Sequence, residues 1–362
     1  MNTASSITEH NVDRDHDYMT LALQLAEKGR YTVSPNPMVG CVIVKNHHIV
    51  GQGYHQQAGG AHAEIHALQA AGVAARDATV YVTLEPCCHT DKKTPPCVHA
   101  LIAARVKKVV VACHDPNPFV AGRGLQALRD AGIEIDIGLL QAQAEQLNEI
   151  FFYYITHKRP FVIAKWAMSL DGKTITAPTD TRQISGHEAY QHTHQLRQQV
   201  DAVLIGANTA RVDNPQLTAR PHNATSSIKQ PLRIILSTQK TLPTDLTIFD
   251  SNLPGKTLIA TTQSESSFEK LSHIEIMSLP AGKNAQVNLP ALLDELGKRG
   301  ITSLLVEGGR QVHEHFFKEN LVNKIHVYLA PVIIGVNEKK QTMTLQCDML
   351  GNDFCFTGMM MS

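Results

Sequence analysis

The sequence predicts an α/β protein built as two domains. Three observations carry that expectation. Short β-branched runs alternate with stretches of helical period along the chain, the pattern of strands and helices sharing a sheet. The 362 residues exceed what one typical core holds, so two domains of roughly 150–200 residues are expected. Apolar residues make up 43% of the chain, enough to fill two cores.

The elements follow in order. DYMTLALQLAEKG (17–29) spaces its apolar residues for a helix ending at Gly29, after a first dozen residues expected to be an unstructured lead-in. VGCVIV (39–44) and IVGQGYH (49–55) read as two strands about a polar turn from Lys45 to His48. HAEIHALQAAG (62–72) is helical and stops at Gly72; ATVYVTLEPC (78–87) is a strand running into a Pro-Cys loop. PPCVHALIAARV (95–106) opens a helix with prolines, which the first turn tolerates. A buried strand (106–113), a helix (124–132) and a strand (133–140) follow. FFYYITHKRP (151–160) reads as the link between domains, placed at 1–156 and 157–362. Beyond it, residues 161–172, 201–207, 232–237, 257–261, 301–309 and 324–335 are strand candidates, and 221–230 and 238–256 read as surface loops.

Charge and cysteines narrow the function. Lys+Arg and Asp+Glu both number 33, which gives no electrostatic footprint for nucleic acid. No apolar run approaches the roughly 18 residues of a membrane span, and residues 1–17 have no signal-like core, so a cytoplasmic protein without a membrane partner is expected. The seven cysteines are unevenly clustered, which suits metal ligation better than a disulfide framework.

The sharpest motif is His62-Ala63-Glu64 with Pro86-Cys87 and Cys97. Zinc favours nitrogen and sulfur ligands, and a catalytic site uses three protein ligands and leaves a fourth position for water. His62, Cys87 and Cys97 supply such a set, predicting one zinc per chain. Glu64 falls at a helix start, near the metal without ligating it, where a carboxylate can move a proton from water to a leaving amine. His-x-Glu with Pro-Cys-x-x-Cys is the signature of zinc deaminases. Nine residues rather than two separate Cys87 from Cys97 here, so the loop between them must fold back. Cys88, next to a ligand, is expected to point elsewhere, and Cys41 and Cys113 read as core residues of apolar strands.

PNPMVGCVIV (35–44), HAEIHAL (62–68), VTLEPCCH (82–89), TPPC (94–97) and DPNPFVAGRG (115–124) together resemble the deaminase half of the bacterial bifunctional riboflavin-biosynthesis enzymes. The resemblance implies a three-layer cytidine-deaminase-like first domain, and a long cysteine loop is a feature of that family. It also implies that Asn36, His55 and His89 contact the pyrimidine or the ribose phosphate. HTDKKT (89–94) is one residue longer than the family's pattern and lacks its glycine, so either Lys92 or Lys93 takes the basic, phosphate-facing place.

KWAMSLDG (165–172), LRQQVDAVLIGANTARVDNPQLTAR (196–220) and LLVEGG (304–309) are similar to the same family's reductase. That similarity implies a dihydrofolate-reductase-like second domain that uses NADPH. ITSLLVEGGR reads as a strand ending in Gly308-Gly309, where amides at the start of the following helix could meet a phosphate. No GxGxxG follows a first strand, which disfavours a Rossmann domain. The resemblance implies that Gly309, Arg310, Gln311, Val312, His313, Glu314 and His315 line the cofactor pocket with Ala167, Thr209 and Asp213. It implies substrate contacts from Thr181, Arg197, Leu217, Arg220 and Glu307, with Lys165 beside the sugar; the planar forks of Arg197 and Arg220 suit its ribose phosphate. Gln183 stands at the cofactor-facing place where the family often has an aromatic ring.

The reaction implied is hydrolytic deamination of a phosphorylated diaminopyrimidine, then reduction of its ribosyl group to ribityl. The partner is that small molecule; a homo-oligomer is allowed and not required. Two other readings fit the sequence less well. A nucleic-acid base deaminase would carry basic and aromatic patches, which neutral charge and 5% aromatic residues disfavour. A zinc-stabilised binding protein would need no carboxylate at Glu64.

Overall fold

The computed structural model describes residues 3–88, 96–118, 120–174, 184–222, 228–238, 242–264, 271, 274–282, 285–335, 341–350 and 353–360. The chain divides into two compact units, 1–160 with 296–302, and 161–295 with 303–362.

In the first unit, helix α1 (Thr3–Glu27) is followed by strands β1 (Gly40–Lys45) and β2 (His48–Tyr54). The α1 helix starts well before the expected residue 17, in place of an unstructured lead-in. Asn46 and His47 both take positive φ (50° and 64°), a two-residue turn whose twist matches its strands. Next come α2 (Ala63–Ala71), β3 (Thr79–Val82), α3 (Cys97–Ala103), β4 (Lys108–Val111), α4 (Arg123–Asp130) and β5 (Glu134–Ile137). The stretch expected to link the domains is instead helical: α5 (Gln141–Leu147) leads into α6 (Glu149–His157). Phe151 and Phe152 of α6 pack on the sheet, a tertiary contact that local pattern does not signal.

These strands form one sheet in the order β2-β1-β3-β4-β5, antiparallel at β2-β1-β3 and parallel across β3-β4-β5. Alternate side chains face opposite sides. Cys41, Ile43, Val80, Val82, Val109 and Val111 meet α2, α3 and α4 on one side. Val42, Val44, Tyr81 and Val110 meet Met19, Ala22 and Leu25 of α1 on the other. Both faces are covered, giving a three-layer α/β/α unit with Cys41 and Cys113 as core residues.

Helix α2 lies directly on β2 because β2 presents glycine there. A Cβ on Gly53 would stand 2.6 Å from Ala63 O and 2.5 Å from His66 Cβ. This contact sets where the first turn of α2, with His62 just before it and Glu64 within it, ends up.

The second unit begins with β6 (Phe161–Ser169), α7 (His187–Gln199), β7 (Ala202–Gly206), α8 (Ala207–Asp213) and β8 (Leu232–Ser237). It continues with β9 (Thr257–Thr261), β10 (Glu275–Ser278), α9 (Leu289–Lys298), β11 (Ser303–Val306), α10 (Arg310–Lys318) and β12 (Lys324–Ala330). Its sheet runs β10-β9-β8-β7-β11-β6-β12, parallel throughout. Helices crossing over a parallel sheet bury its central strands, which explains the unbroken apolar runs at 202–206 and 303–306. β13 (Val332–Ile333), β14 (Gln341–Leu350) and β15 (Asp353–Met360) form a small antiparallel sheet.

Two expectations here need correction. Asp213, expected in a turn, is the last residue of α8, and the turn begins at Asn214 with φ 41°. The expected surface loop 238–256 carries Leu242, Leu246, Ile248 and Phe249 into the core, with a short 3₁₀ turn at Thr247–Phe249. No helix among the described residues is long and apolar enough to cross a membrane.

Replacing Gly53 by alanine should destabilise the first unit by about 1–3 kcal/mol through overpacking. A lower urea midpoint for that unit would show it. An unchanged midpoint would mean that α2 does not rest on β2 in this way.

Candidate functional site

His62, Cys87 and Cys97 come together although 35 residues separate the first from the last. His62 stands at the N-cap of α2, Cys87 follows the loop after β3, and Cys97 opens α3. His62 Nδ1 lies 3.1 Å from Cys97 Sγ and 3.5 Å from Cys87 Sγ, and all three donor atoms lie within 4.8 Å of one another. Tetrahedral zinc with bonds of about 2.0 Å to nitrogen and about 2.3 Å to sulfur puts its ligand atoms about 3.5–3.8 Å apart. The donor set and its spacing therefore fit zinc. Cys88, half-buried against the core, stands outside the cluster.

Charge at this cluster is concentrated on one sulfur. Donation from the Cys97 thiol, helped by His62 and the Cys97 amide, draws the Cys87 thiol well below its usual range against the cost of burial. The same hydrogen bond and burial hold Cys97 well above its usual range. Glu64 is buried beside the cluster, and burial pushes its carboxyl up despite the nearby His62. It meets the Cys97 sulfur but is not one of the three clustered donors.

Asn36 and His55 lie against the same cluster. His55 packs edge-on to His62, with ring centroids 5.5 Å apart. Its Nδ1 faces Ala61 O at 3.0 Å and its Nε2 faces Asn36 Nδ2 at 3.2 Å. The carbonyl can only accept, so Nδ1 carries the proton and Nε2 accepts from Asn36. His89, Lys92 and Lys93 lie outside the described residues.

One buried carboxylate here had escaped the motif reading. Glu85 Oε2 accepts from the amides of Gly122 (3.1 Å) and Asp115 (3.4 Å), with His114 Nδ1 at 3.3 Å. It ties the loop of the DPNPFVAGRG motif to the strand end that precedes Cys87. Its only sequence signal is its place within LEPCC.

The second unit gathers a buried ion cluster. Arg197 on α7 donates from Nε and Nη2 to both oxygens of Glu307, at 2.6 and 3.0 Å. Lys165 Nζ on β6 lies 3.8 Å from Glu307 Oε2. Burial opposes ionisation of Glu307, but Arg197 and Lys165 outweigh it and hold the carboxyl below its ordinary value. Burial, with Arg197 adding, lowers the Lys165 ammonium. The Arg197 fork, expected to face a phosphate, is thus committed to Glu307, while Arg220 is exposed.

Around the start of α10, Gly309 N donates to Thr209 Oγ1 of α8 at 3.0 Å. The structure thereby joins two of the residues expected at the cofactor. A Cβ on Gly206 would stand 2.8 Å from Val312 Cγ2, so glycine lets α10 close on β7. His313 packs on Trp166, next to Ala167 on β6, with centroids 5.7 Å apart. Arg310 pairs with Glu314 at 2.7 Å on the exposed side of α10, with Gln311 exposed and His315 half-buried. Asp213 is exposed, and Leu217 is buried with φ 54°. Thr181 and Gln183 lie outside the described residues.

Comparison with known proteins bears on both units. Residues 12–113 match the cytidine and deoxycytidylate deaminase zinc-binding region, and 160–350 match the RibD C-terminal domain. The riboflavin biosynthesis protein RibD of Actinobacillus pleuropneumoniae is 42% identical over 330 residues, 90% of this chain and 86% of that protein. The chain belongs to the RibD family. RibD of Escherichia coli (strain K12) is 41% identical over 331 residues, 89% of each chain. RibD of Acinetobacter baumannii has a solved structure with TM-score 0.80 at 35% identity, covering 97% of this chain and 100% of that one. A Thermotoga maritima structure, described as a diaminohydroxyphosphoribosylaminopyrimidine deaminase/5-amino-6-(5-phosphoribosylamino)uracil reductase, has TM-score 0.79 at 32% identity, with 95% and 98% covered. The RibD architecture is a cytidine-deaminase-like domain followed by a dihydrofolate-reductase-like one, and this chain has both. It is a bifunctional enzyme, a deaminase joined to a reductase. In the RibD family the deaminase takes zinc and the reductase NADPH.

His194 yields a pH prediction for the second unit. It is fully buried, and burial, with Arg197 and Arg220 adding, pushes its imidazole down to about 4 from 6.5, against Thr218 O and Glu307. Between those values the unfolded chain binds a proton that the folded chain refuses, so stability falls as pH drops through the window and is unaffected above it. Urea unfolding of that unit at about pH 7 and about pH 5 should show a larger loss for wild type than for His194→Gln. Equal losses would contradict the assignment.

Proposed function

We propose that residues 1–156 deaminate 2,5-diamino-6-ribosylamino-4(3H)-pyrimidinone 5′-phosphate and that residues 157–362 reduce the product to 5-amino-6-ribitylaminouracil 5′-phosphate. The first step consumes water and releases the C2 amine as ammonia. The second adds hydride to C1′ of the opened sugar and takes up a proton. The observation that carries this reading is a buried carboxylate, Glu64, set against His62, Cys87 and Cys97 but outside the donor set.

His62 Nδ1 and the sulfurs of Cys87 and Cys97 would hold the metal. Zinc, when bound, supplies the Lewis acidity that makes water a nucleophile near neutral pH. Glu64 takes a proton from the incoming water and delivers it to the departing amine. Asn36, His55 and His89 recognise the pyrimidine or the ribose phosphate, with His55 also orienting Asn36. The burial of Glu64 and His55 keeps bulk water from competing.

In the second step NADPH supplies the hydride. Gly309, Arg310, Gln311, Val312, His313, Glu314 and His315 line its pocket with Ala167, Thr209, Asp213 and Gln183. Thr181, Arg197, Leu217, Arg220 and Glu307 bind the substrate, with the planar fork of Arg220 on its ribose phosphate, and Lys165 stands beside its sugar. Arg197 holds Glu307 in place through its two hydrogen bonds. The motif cysteines serve a metal rather than a disulfide framework, in keeping with a reducing compartment, and the enzyme is assigned to the cytoplasm.

Glu64→Gln should retain one zinc per chain and lose about 100- to 10,000-fold in ammonia release, the usual span of general acid–base catalysis. Metal analysis of the purified variant checks the first part. Loss of the zinc, or a normal rate, would refute the role given to Glu64. Glu307→Gln should slow NADPH oxidation on supplied deaminated substrate roughly tenfold to hundredfold, while ammonia release stays normal. Wild-type reduction by that variant, confirmed as folded, would remove Glu307 from the substrate site.

A further inference from the structure

Residues 217–220 form an irregular segment between α8 and β8, yet Leu217, Thr218 and Ala219 are buried. Buried backbone outside helices and strands must still find hydrogen-bond partners. Here they come from side chains elsewhere in the unit. Gln230 Oε1 accepts from Ala219 N at 2.9 Å, and its Nε2 donates to Ala219 O at 3.0 Å. One side-chain amide thus pairs both backbone groups of one residue, as a neighbouring strand would. His194 Nδ1 stands 3.1 Å from both Arg220 N and Thr218 O, and Arg197 Nη1 donates to Thr218 O at 3.3 Å. Leu217 is held at φ 54°, a conformation that costs a side-chain-bearing residue and persists only where its surroundings enforce it.

The segment ends on Arg220, whose side chain is exposed while its amide is clamped. Its guanidinium is aimed by Gln216 Oε1 at 2.7 Å, Thr218 Oγ1 and Tyr190 Oη at 3.3 Å. A planar fork whose plane is fixed in advance binds a phosphate at a lower ordering cost.

We infer that Gln230 is a positioning residue for substrate binding in the reductase: by pairing both backbone groups of Ala219 it sets the segment from which Arg220 meets the ribose phosphate. This rests on the phosphate contact assigned to Arg220 above. Gln230 touches neither reacting atom nor cofactor in this role. Its loss should therefore weaken binding of the phosphorylated substrate in ground and transition states alike.

Initial rates of NADPH oxidation on supplied deaminated substrate test this in the full chain, with wild type, Gln230→Ala, Arg220→Ala and the double variant. Gln230→Ala should raise KM for the substrate on the order of tenfold, with kcat within about twofold and KM for NADPH unchanged. In the Arg220→Ala background the same change should add less than about twofold, since residues that act as one unit are not additive. Gln230→Glu keeps an acceptor for Ala219 N and loses the donor to Ala219 O. It should move KM in the same direction and replaces the alanine variant if that one does not fold. A wild-type KM for Gln230→Ala beside an impaired Arg220→Ala would overturn the inference alone. So would a matching rise in KM for NADPH, or full additivity in the double variant. A wild-type KM for Arg220→Ala would overturn the phosphate contact and the inference together. Absence of reduction by wild type would overturn the reductase assignment itself.

Discussion

Two cysteine sulfurs and an imidazole nitrogen lie within 4.8 Å of one another, largely shielded from water. A proton shared between the sulfurs makes one of them a thiolate; two thiolates side by side there require a cation. That requirement governs the first unit. Three segments distant in sequence must deliver their donors to one point, and each is held by ordinary packing. Glycine in β2 lets α2 approach and fixes His62, α3 begins on Cys97, and Glu85 latches the loop beside the Cys87 strand end. Glu64 travels with His62 because both belong to the start of the same helix.

The second unit solves a related problem with opposite signs. Glu307 is a buried carboxylate, and two cations from different elements make its charge tolerable. Removing Glu307 from the cluster would leave two shielded cations without a counter-charge. Arg197 serves a second purpose there, because its remaining nitrogen also holds Thr218 O. A charge pair and the 217–220 segment are thus fastened by one guanidinium.

Much of this was legible in the sequence, for identifiable reasons. Zinc chemistry restricts ligand types so tightly that His62, Cys87 and Cys97 stood out despite the long loop between the cysteines. Strand positions were legible because parallel buried strands are unbroken apolar runs, as at 202–206. The α6 helix was not, since FFYYITH is rich in aromatic residues whose helical state here comes with packing on the sheet. Nor were the burial of Ile248 and Phe249 within a Pro-containing stretch and the start of α1 at Thr3. The side-chain clamps were the least legible. Glu85, His194 and Gln230 act on backbone groups far along the chain, and no local spacing encodes such a contact. The commitment of Arg197 to Glu307 belongs with them: both residues were singled out, but only the fold shows that they face each other.

The central claim is that one chain first removes an amine through the zinc-binding unit and then reduces the sugar through the other. Ammonia and NADPH followed together, in one reaction started with the diaminopyrimidine ribosyl phosphate, test it most directly. Ammonia should appear whether or not NADPH is present, and each NADPH consumed should follow one ammonia released. Consumption of NADPH without ammonia, or no ammonia from zinc-loaded enzyme, would contradict it.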